Sequence, residues 1–322
     1  MSDSSHAFCI YNPNFSGAEE GTDAIMCAHL LDAKICKDLG ELLDNREISA
    51  AMELGMALCT SVTKLSSKGL PGYFCGNRKA KTVVVNLNPG ISAEKCDNLW
   101  AQVKDRHVNT SMDDFVKDFL VGRRDFGIND IDPDDSGKLR YDEFDVKQAA
   151  FLSSWKNSGI NLLSDLDWNN REVCIEAKTR VLSDKLQLEL IPYASSKFSI
   201  GRKHIHLFHP YIDILLDEIF SEERQYIIFA SAIFEKIFED YNRVYPNTFD
   251  LSEPVAISDP LKREGKLRGR CKVISITYKG KTYKALIAHT FASQGLCRAF
   301  TLMQKYGEFC YEQFINNNNT NK

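Results

Sequence analysis

No Cys-x-x-Cys pair occurs in this chain, although it carries ten cysteines among its 322 residues. That counts against a zinc ribbon and against a cysteine-ligated iron–sulfur cluster. The start, Met1-Ser2-Asp3-Ser4-Ser5, is polar and lacks the apolar core of a secretory leader. Together these lead us to expect a reduced, cytoplasmic chain, nuclear if the source is eukaryotic, with no disulfide framework. No apolar run is long enough to cross a bilayer, so no membrane partner is expected. A basic excess is also missing. Forty Lys and Arg stand against 44 Asp and Glu, a net charge of −4. Overall charge is therefore not that of a dedicated nucleic-acid binder, although a local positive groove stays open. There is no Gly-rich phosphate loop, no Gly-x-Ser-x-Gly elbow, no His-Glu-x-x-His and no internal repeat.

What is present is an ordinary globular composition, 43% hydrophobic, in a chain long enough to bury a core without staples. We expect one α/β domain over 1–315, monomeric, with an Asn-rich disordered tail at 316–322. Apolar residues at helical spacing predict N-terminal helices over 22–40 and 46–66, within an N-terminal segment 1–69. Leu70-Pro71-Gly72 ends them, and Tyr73–Asn77 leads into Thr82-Val83-Val84-Val85, a buried strand by its unbroken apolar run. Region 93–182 is charged and helix-prone, and reads as an insertion. Further strands are expected at 186–191, 226–230, 271–278 and 282–288, the last two joined by a hairpin at Lys279-Gly280. Helices are expected at 210–221, directly after 230, and at 294–312. This order implies a three-layer α/β/α sandwich with a central, mostly parallel four-stranded sheet.

Three polar loops follow three of these strands. Asn86-Leu87-Asn88-Pro89-Gly90 follows the first, Pro192-Tyr193-Ala194-Ser195 the second, and His289-Thr290-Phe291-Ala292-Ser293 the last. In open α/β sheets, ligands bind beyond the carboxyl ends of strands. Each loop also has a plainer reading. Asn88 alone suits an Asx-turn, Tyr193 a packed turn aromatic, and His289 a satisfied polar residue at a strand end.

In order and chemistry, the three loops resemble the motifs of the uracil-DNA glycosylase superfamily, over residues 70–92 and 186–312. The first motif there runs Gly-x-Asn/Asp-Pro-Gly/Tyr, which Asn86–Gly90 looks like. The last is His-Pro-Ser-like and opens a helix, which His289–Ser293 looks like. Pro192-Tyr193 is similar to the base-stacking loop. The resemblance implies hydrolysis of an N-glycosidic bond in DNA, with no cofactor in catalysis. Asn88 would orient water without deprotonating it, since an amide is not basic enough. His289 would stabilise negative charge on the departing base, and Tyr193 would stack on the extruded base. Asn86, Pro89, Gly90, Ser195 and Ser293 would line the substrate site, with Phe291 or Leu296 as a wedge. Departures are visible. Asn86 stands for the first Gly, Thr290-Phe291 stands for Pro-Ser, Gly90 leaves no bulky group to exclude a thymine methyl, and the first motif holds no carboxylate base. A catalytically silent nucleic-acid or nucleotide-binding module on the same scaffold is the alternative.

Residues 132–143 match a calcium loop of the EF-hand type. Asp132, Asp134 and Ser136 supply oxygens, Gly137 the turn, Lys138 a backbone carbonyl and Glu143 a bidentate carboxylate. No second such loop appears. The two readings are a calcium site, which would make the chain a calcium-responsive interaction protein, or an acidic loop capping the helix that follows. The one basic run, 262–272, is either a solvated loop or a phosphate contact. His204, His206 and His209 lie close together, the first two on one face if extended, but lack acidic partners for a metal.

Overall fold

A computed structural model describes residues 29–58, 64–103, 110–124, 142–155, 166–196, 202–253, 255–256, 270–291 and 299–316. The chain divides into two compact units. The first comprises Met1–Tyr73, Asn88–Arg123 and Glu189–Ser221; the second comprises Phe74–Leu87, Arg124–Leu188 and Glu222–Lys322.

The second unit holds the sheet. Its strands are β1 (Phe74–Gly76), β2 (Thr82–Asn86), β3 (Lys185–Glu189), β4 (Tyr226–Phe229), β5 (Phe249–Leu251), β6 (Val255–Ala256), β7 (Arg270–Tyr278) and β8 (Lys281–Ile287). Seven run side by side in the order β1-β3-β2-β4-β8-β7-β5, and β6 adds to β7. β2 pairs with β4, and β4 with β8, in parallel. β1 with β3, and β7 with β5, β6 and β8, are antiparallel. The sheet is therefore mixed and wider than the sequence pattern predicts. The added strands β1, β5 and β6 span three, three and two residues. That is too short to display a two-residue alternation.

β2 is buried at every position, and its centre, Val83-Val84-Val85, is the unbroken apolar run that a strand inside a sheet needs. Alternation across the pleat then sorts the core. Val84, Ile228, Val273 and Leu286 join one apolar cluster with α5 (Glu143–Leu152), α6 (Arg171–Asp184) and α9 (Phe300–Asn316). Phe229, one residue from Ile228, instead meets Phe234 and Phe238 of α8 (Ile233–Val244), with ring centroids 5.0 and 4.8 Å away. The predicted hairpin is present. Lys279 and Gly280 both take positive φ, 47° and 78°, the combination a two-residue turn between right-twisted strands needs.

The first unit contains α1 (Leu30–Asn45), α2 (Ser49–Leu58), α3 (Ala93–Val103), α7 (His209–Phe220) and most of α4 (Met112–Arg124). The helix-prone region 93–182 thus becomes α3 to α6. Residues 204–206 are not extended: they lie in a 3-10 helix, Arg202–Phe208, running into α7. His204 and His206 therefore do not share a face as they would on a strand. No helix among the described residues is long and apolar enough to cross a membrane.

Gly307 lets α9 lie directly on α5. A Cβ there would collide with the Phe151 carbonyl oxygen and sit 2.8 Å from its carbon, both backbone atoms that cannot swing aside. Gly307→Ala is accordingly expected to destabilise the protein by about 1–3 kcal/mol or more, as overpacking does. A lower urea midpoint at unchanged slope is the measurement; an unchanged midpoint contradicts the close approach.

Candidate functional site

The order of the strands determines where chemistry can gather in the second unit. After β2 the chain supplies β3 on one side of it and later β4 on the other, so its direction of winding reverses at β2. Ligand crevices in such sheets open beyond the carboxyl ends of the strands at that reversal. Two bonds align those ends: Ala230 N–H donates to Val85 O at 2.8 Å, and Ala288 N–H to Phe229 O at 2.9 Å. Asn86, Ser231 and His289 consequently lie along one edge. The register places Arg270, at the start of β7, opposite His289.

His289 is half-buried and held by a closed set of hydrogen bonds. Its backbone N–H donates to the Tyr306 hydroxyl at 2.9 Å, which donates to Arg270 O at 2.8 Å. Arg270 N–H donates to His289 Nε2 at 3.3 Å. A ring nitrogen accepting from a backbone amide carries no proton, so in neutral His289 the donor is Nδ1–H. Tyr306 is fully buried, and burial pushes its hydroxyl well above the ordinary 10.0, so it stays a donor. Glu235 stands in the first turn of α8, where a carboxylate complements the helix dipole. It pairs with Arg270 Nη2 at 3.4 Å and Lys272 Nζ at 3.2 Å. These two basic residues close the run 262–272, of which 262–269 lie outside the described residues.

The first-motif loop belongs to the first unit from Asn88 onward. The Asn88 amide nitrogen donates to Ser195 Oγ at 2.8 Å and is shared with Tyr193 O at 3.3 Å and Pro89 O at 3.2 Å. Two of these partners are carbonyls, which only accept, so the amide orientation is fixed by its surroundings. Its carbonyl oxygen Oδ1 is left to accept. The partner loop is itself laced down: Ser195 N–H donates to Pro89 O, Gly72 N–H to Pro192 O and Ser66 N–H to Ala194 O, at 3.1, 2.6 and 2.9 Å. Gly72 permits this closure, because a Cβ there would come within 2.7 Å of Pro89 Cγ. Gly90 is exposed and open, with nothing within 4 Å of a Cβ, so a larger residue would meet no obstacle.

Tyr193 is not where a stacking platform would be. It is 1% exposed, and its ring meets Tyr211 edge-on at 6.4 Å. Its hydroxyl donates to Asp38 Oδ2 at 2.7 Å and accepts from Lys34 Nζ at 2.7 Å. Tyr73 O–H also donates to Asp38 Oδ2, and Lys34 pairs with Asp38 one helical turn on. The ring is buried because its hydroxyl finds partners inside, which a stacking face turned to solvent would forgo. Phe291, offered by the sequence as a wedge, is 0% exposed and packs edge-on against Phe151 at 5.1 Å. It has joined the core cluster and is closed to a base step. Ser195 is 2% and Asn86 7% exposed, so neither presents a broad polar surface. Ser293 and Leu296 lie outside the described residues, as do Asp132, Asp134, Ser136 and Lys138. Of the calcium-loop residues Glu143 is described, and its carboxylate is 2.7 Å from the buried Lys147 Nζ. Asp142 beside it caps α5, accepting from Phe144 and Asp145 N–H at 2.9 and 3.2 Å. Among the described residues no group of His, Cys, Asp and Glu is placed to hold a metal ion.

The Asp38 cluster was missed by sequence reasoning. Its only signal was Lys34-x-x-x-Asp38, which on a helix ordinarily reads as a surface pair. Comparison with family models, with curated proteins and with solved structures found no match to this chain.

The cluster makes stability depend on pH in a definite direction. Burial, followed by the Asp38 charge, pushes Tyr73 and Tyr193 well above 10.0, and burial pushes Tyr211 up to about 12. Above pH 10 the unfolded chain loses tyrosine protons that the folded chain keeps, so stability falls as pH rises. Burial lowers Lys34, which acts oppositely just below 10.5. Melting temperature is expected to drop steeply between about pH 10 and about pH 11, and less steeply in Tyr193→Phe, each protein compared with itself at about pH 8. Parallel curves for the two proteins would contradict the buried hydroxyl.

Proposed function

We propose that the chain is a divergent uracil-DNA glycosylase-like protein that hydrolyses the N-glycosidic bond of a base in DNA. Its core would be a three-layer α/β/α sandwich around four mostly parallel strands. The observation that supports this reading most is the held amide of Asn88, with nitrogen committed and carbonyl oxygen left to accept. That is the polarity required to orient a water molecule: Oδ1 accepts one of its hydrogens and aims its lone pair. The amide takes no proton, so departure of the base leads and attack by water follows. His289 Nδ1–H donates to the base carbonyl as negative charge develops there, an interaction that strengthens toward the transition state. Arg270 and Lys272, already partnered by Glu235, are candidates for phosphate contact at moderate net charge.

Incubation with uracil-containing single- and double-stranded DNA tests the reading. Wild-type protein is expected to leave abasic sites, with Asn88→Ala and His289→Ala each slower by about 100-fold. No abasic product, with wild type matching Asn88→Ala, rejects it. One observation favours a second reading, a silent binding module on the same scaffold. Tyr193 and Phe291 are both buried, so neither offers a face to an extruded base. Equal binding of these DNAs by wild type and Asn88→Ala, without base release, selects that reading instead.

A further inference from the structure

We infer that Tyr193 and Asp38 are positioning residues for Asn88, so that the cluster on α1 sets the direction of the amide on the first-motif loop. The inference rests on the role proposed above for Asn88, but its geometry lies within one compact unit. Tyr193 is held at both ends. Its hydroxyl is held from both sides, donating to Asp38 and accepting from Lys34. Its backbone carbonyl accepts from the Asn88 amide, and two residues on Ser195 Oγ accepts from the same amide at 2.8 Å. A side chain fixed by two hydrogen bonds in a buried site has little rotational freedom, so its own backbone is pinned with it. The Tyr193 carbonyl and Ser195 hydroxyl then present acceptors at fixed points. The amide can satisfy both in one orientation, with Nδ2 toward these acceptors and Oδ1 left to accept.

Asp38 is the fulcrum. It is 0% exposed and receives Tyr73, Tyr193 and Lys34. A buried carboxylate must be satisfied by such donors. This also accounts for the tyrosine in Pro192-Tyr193: a phenylalanine would fill the same space but would lose the link from the loop to Asp38 and Lys34 of α1.

The test uses full-length protein labelled with nitrogen-15. The Asn88 side-chain amide resonances are assigned by their loss in Asn88→Ala. In Tyr193→Phe they are expected to shift toward those of an unbonded carboxamide. The kcat for base release should fall about tenfold with KM unchanged, since a misdirected water costs rate rather than binding. Lys34→Met removes a partner at the rim of the cluster and should shift the same resonances by less, which keeps the inference testable if Tyr193→Phe does not fold. Tyr226→Phe, a buried tyrosine of the other unit, should leave resonances and kcat unchanged. Unmoved Asn88 resonances in both Tyr193→Phe and Lys34→Met overturn the inference. If wild-type protein releases no base, the glycosylase reading fails by itself, and the resonances still decide whether Tyr193 holds the amide.

Discussion

A parallel strand buried on both faces has no solvent side on which to carry polar groups, and the centres of β2 and β4 and the last residues of β8 are bound by that constraint. Those stretches are apolar, as Val83-Val84-Val85, Ile227-Ile228-Phe229 and Ala285-Leu286-Ile287 are. Polar side chains are displaced to the strand ends. There the ladder bonds from Ala230 to Val85 and from Ala288 to Phe229 set those ends in a row. Asn86, Ser231, Arg270 and His289 become neighbours along an edge because the backbone leaves them nowhere else to be. The aromatic packing against α5, α9 and α8 follows from the same requirement, since each face of such a strand needs a cover.

Within the first unit a different constraint rules. Asp38 is a fully buried carboxylate, and removing a charge from water costs more than its partners return unless it is well supplied with donors. Two tyrosines and a lysine meet that need. The consequence reaches the first-motif loop through the Tyr193 carbonyl. A structural polar cluster and a candidate functional amide are thus joined by one residue, the one whose ring the sequence offers as a base platform.

Two features look alike in sequence and differ in space. Tyr193 and Phe291 each follow a strand within a polar loop, where an aromatic can point out or in. The choice depends on what lies inside: hydroxyl partners on α1 and the Tyr211 ring of α7 for Tyr193, and the Phe151 ring for Phe291. Neither neighbour is near in sequence, so no local pattern could have revealed the outcome. Glu143 is similar. Its place at the end of an acidic loop suits a cation, yet Lys147 one helical turn on, buried in the second unit, engages its carboxylate.

By itself the sequence determined the elements that carry their own periodicity or turn chemistry. These are the buried strand at 82–86, the strand at 226–229, the hairpin with its Lys279-Gly280 turn, and the amphipathic helices α1, α7 and α8. Each is decided within a dozen residues, by side-chain spacing or by the few residues that tolerate positive φ. Tertiary structure alone decided the order of the strands, the added short strands β1, β5 and β6, and the fate of each loop side chain. Short strands exist only because a neighbouring strand offers unpaired backbone groups. A loop aromatic is buried, and an amide directed, only when partners tens or hundreds of residues away arrive to satisfy it. Such partnerships are properties of the folded chain, and the Asn88 amide, held by Tyr193 and Ser195, is one of them.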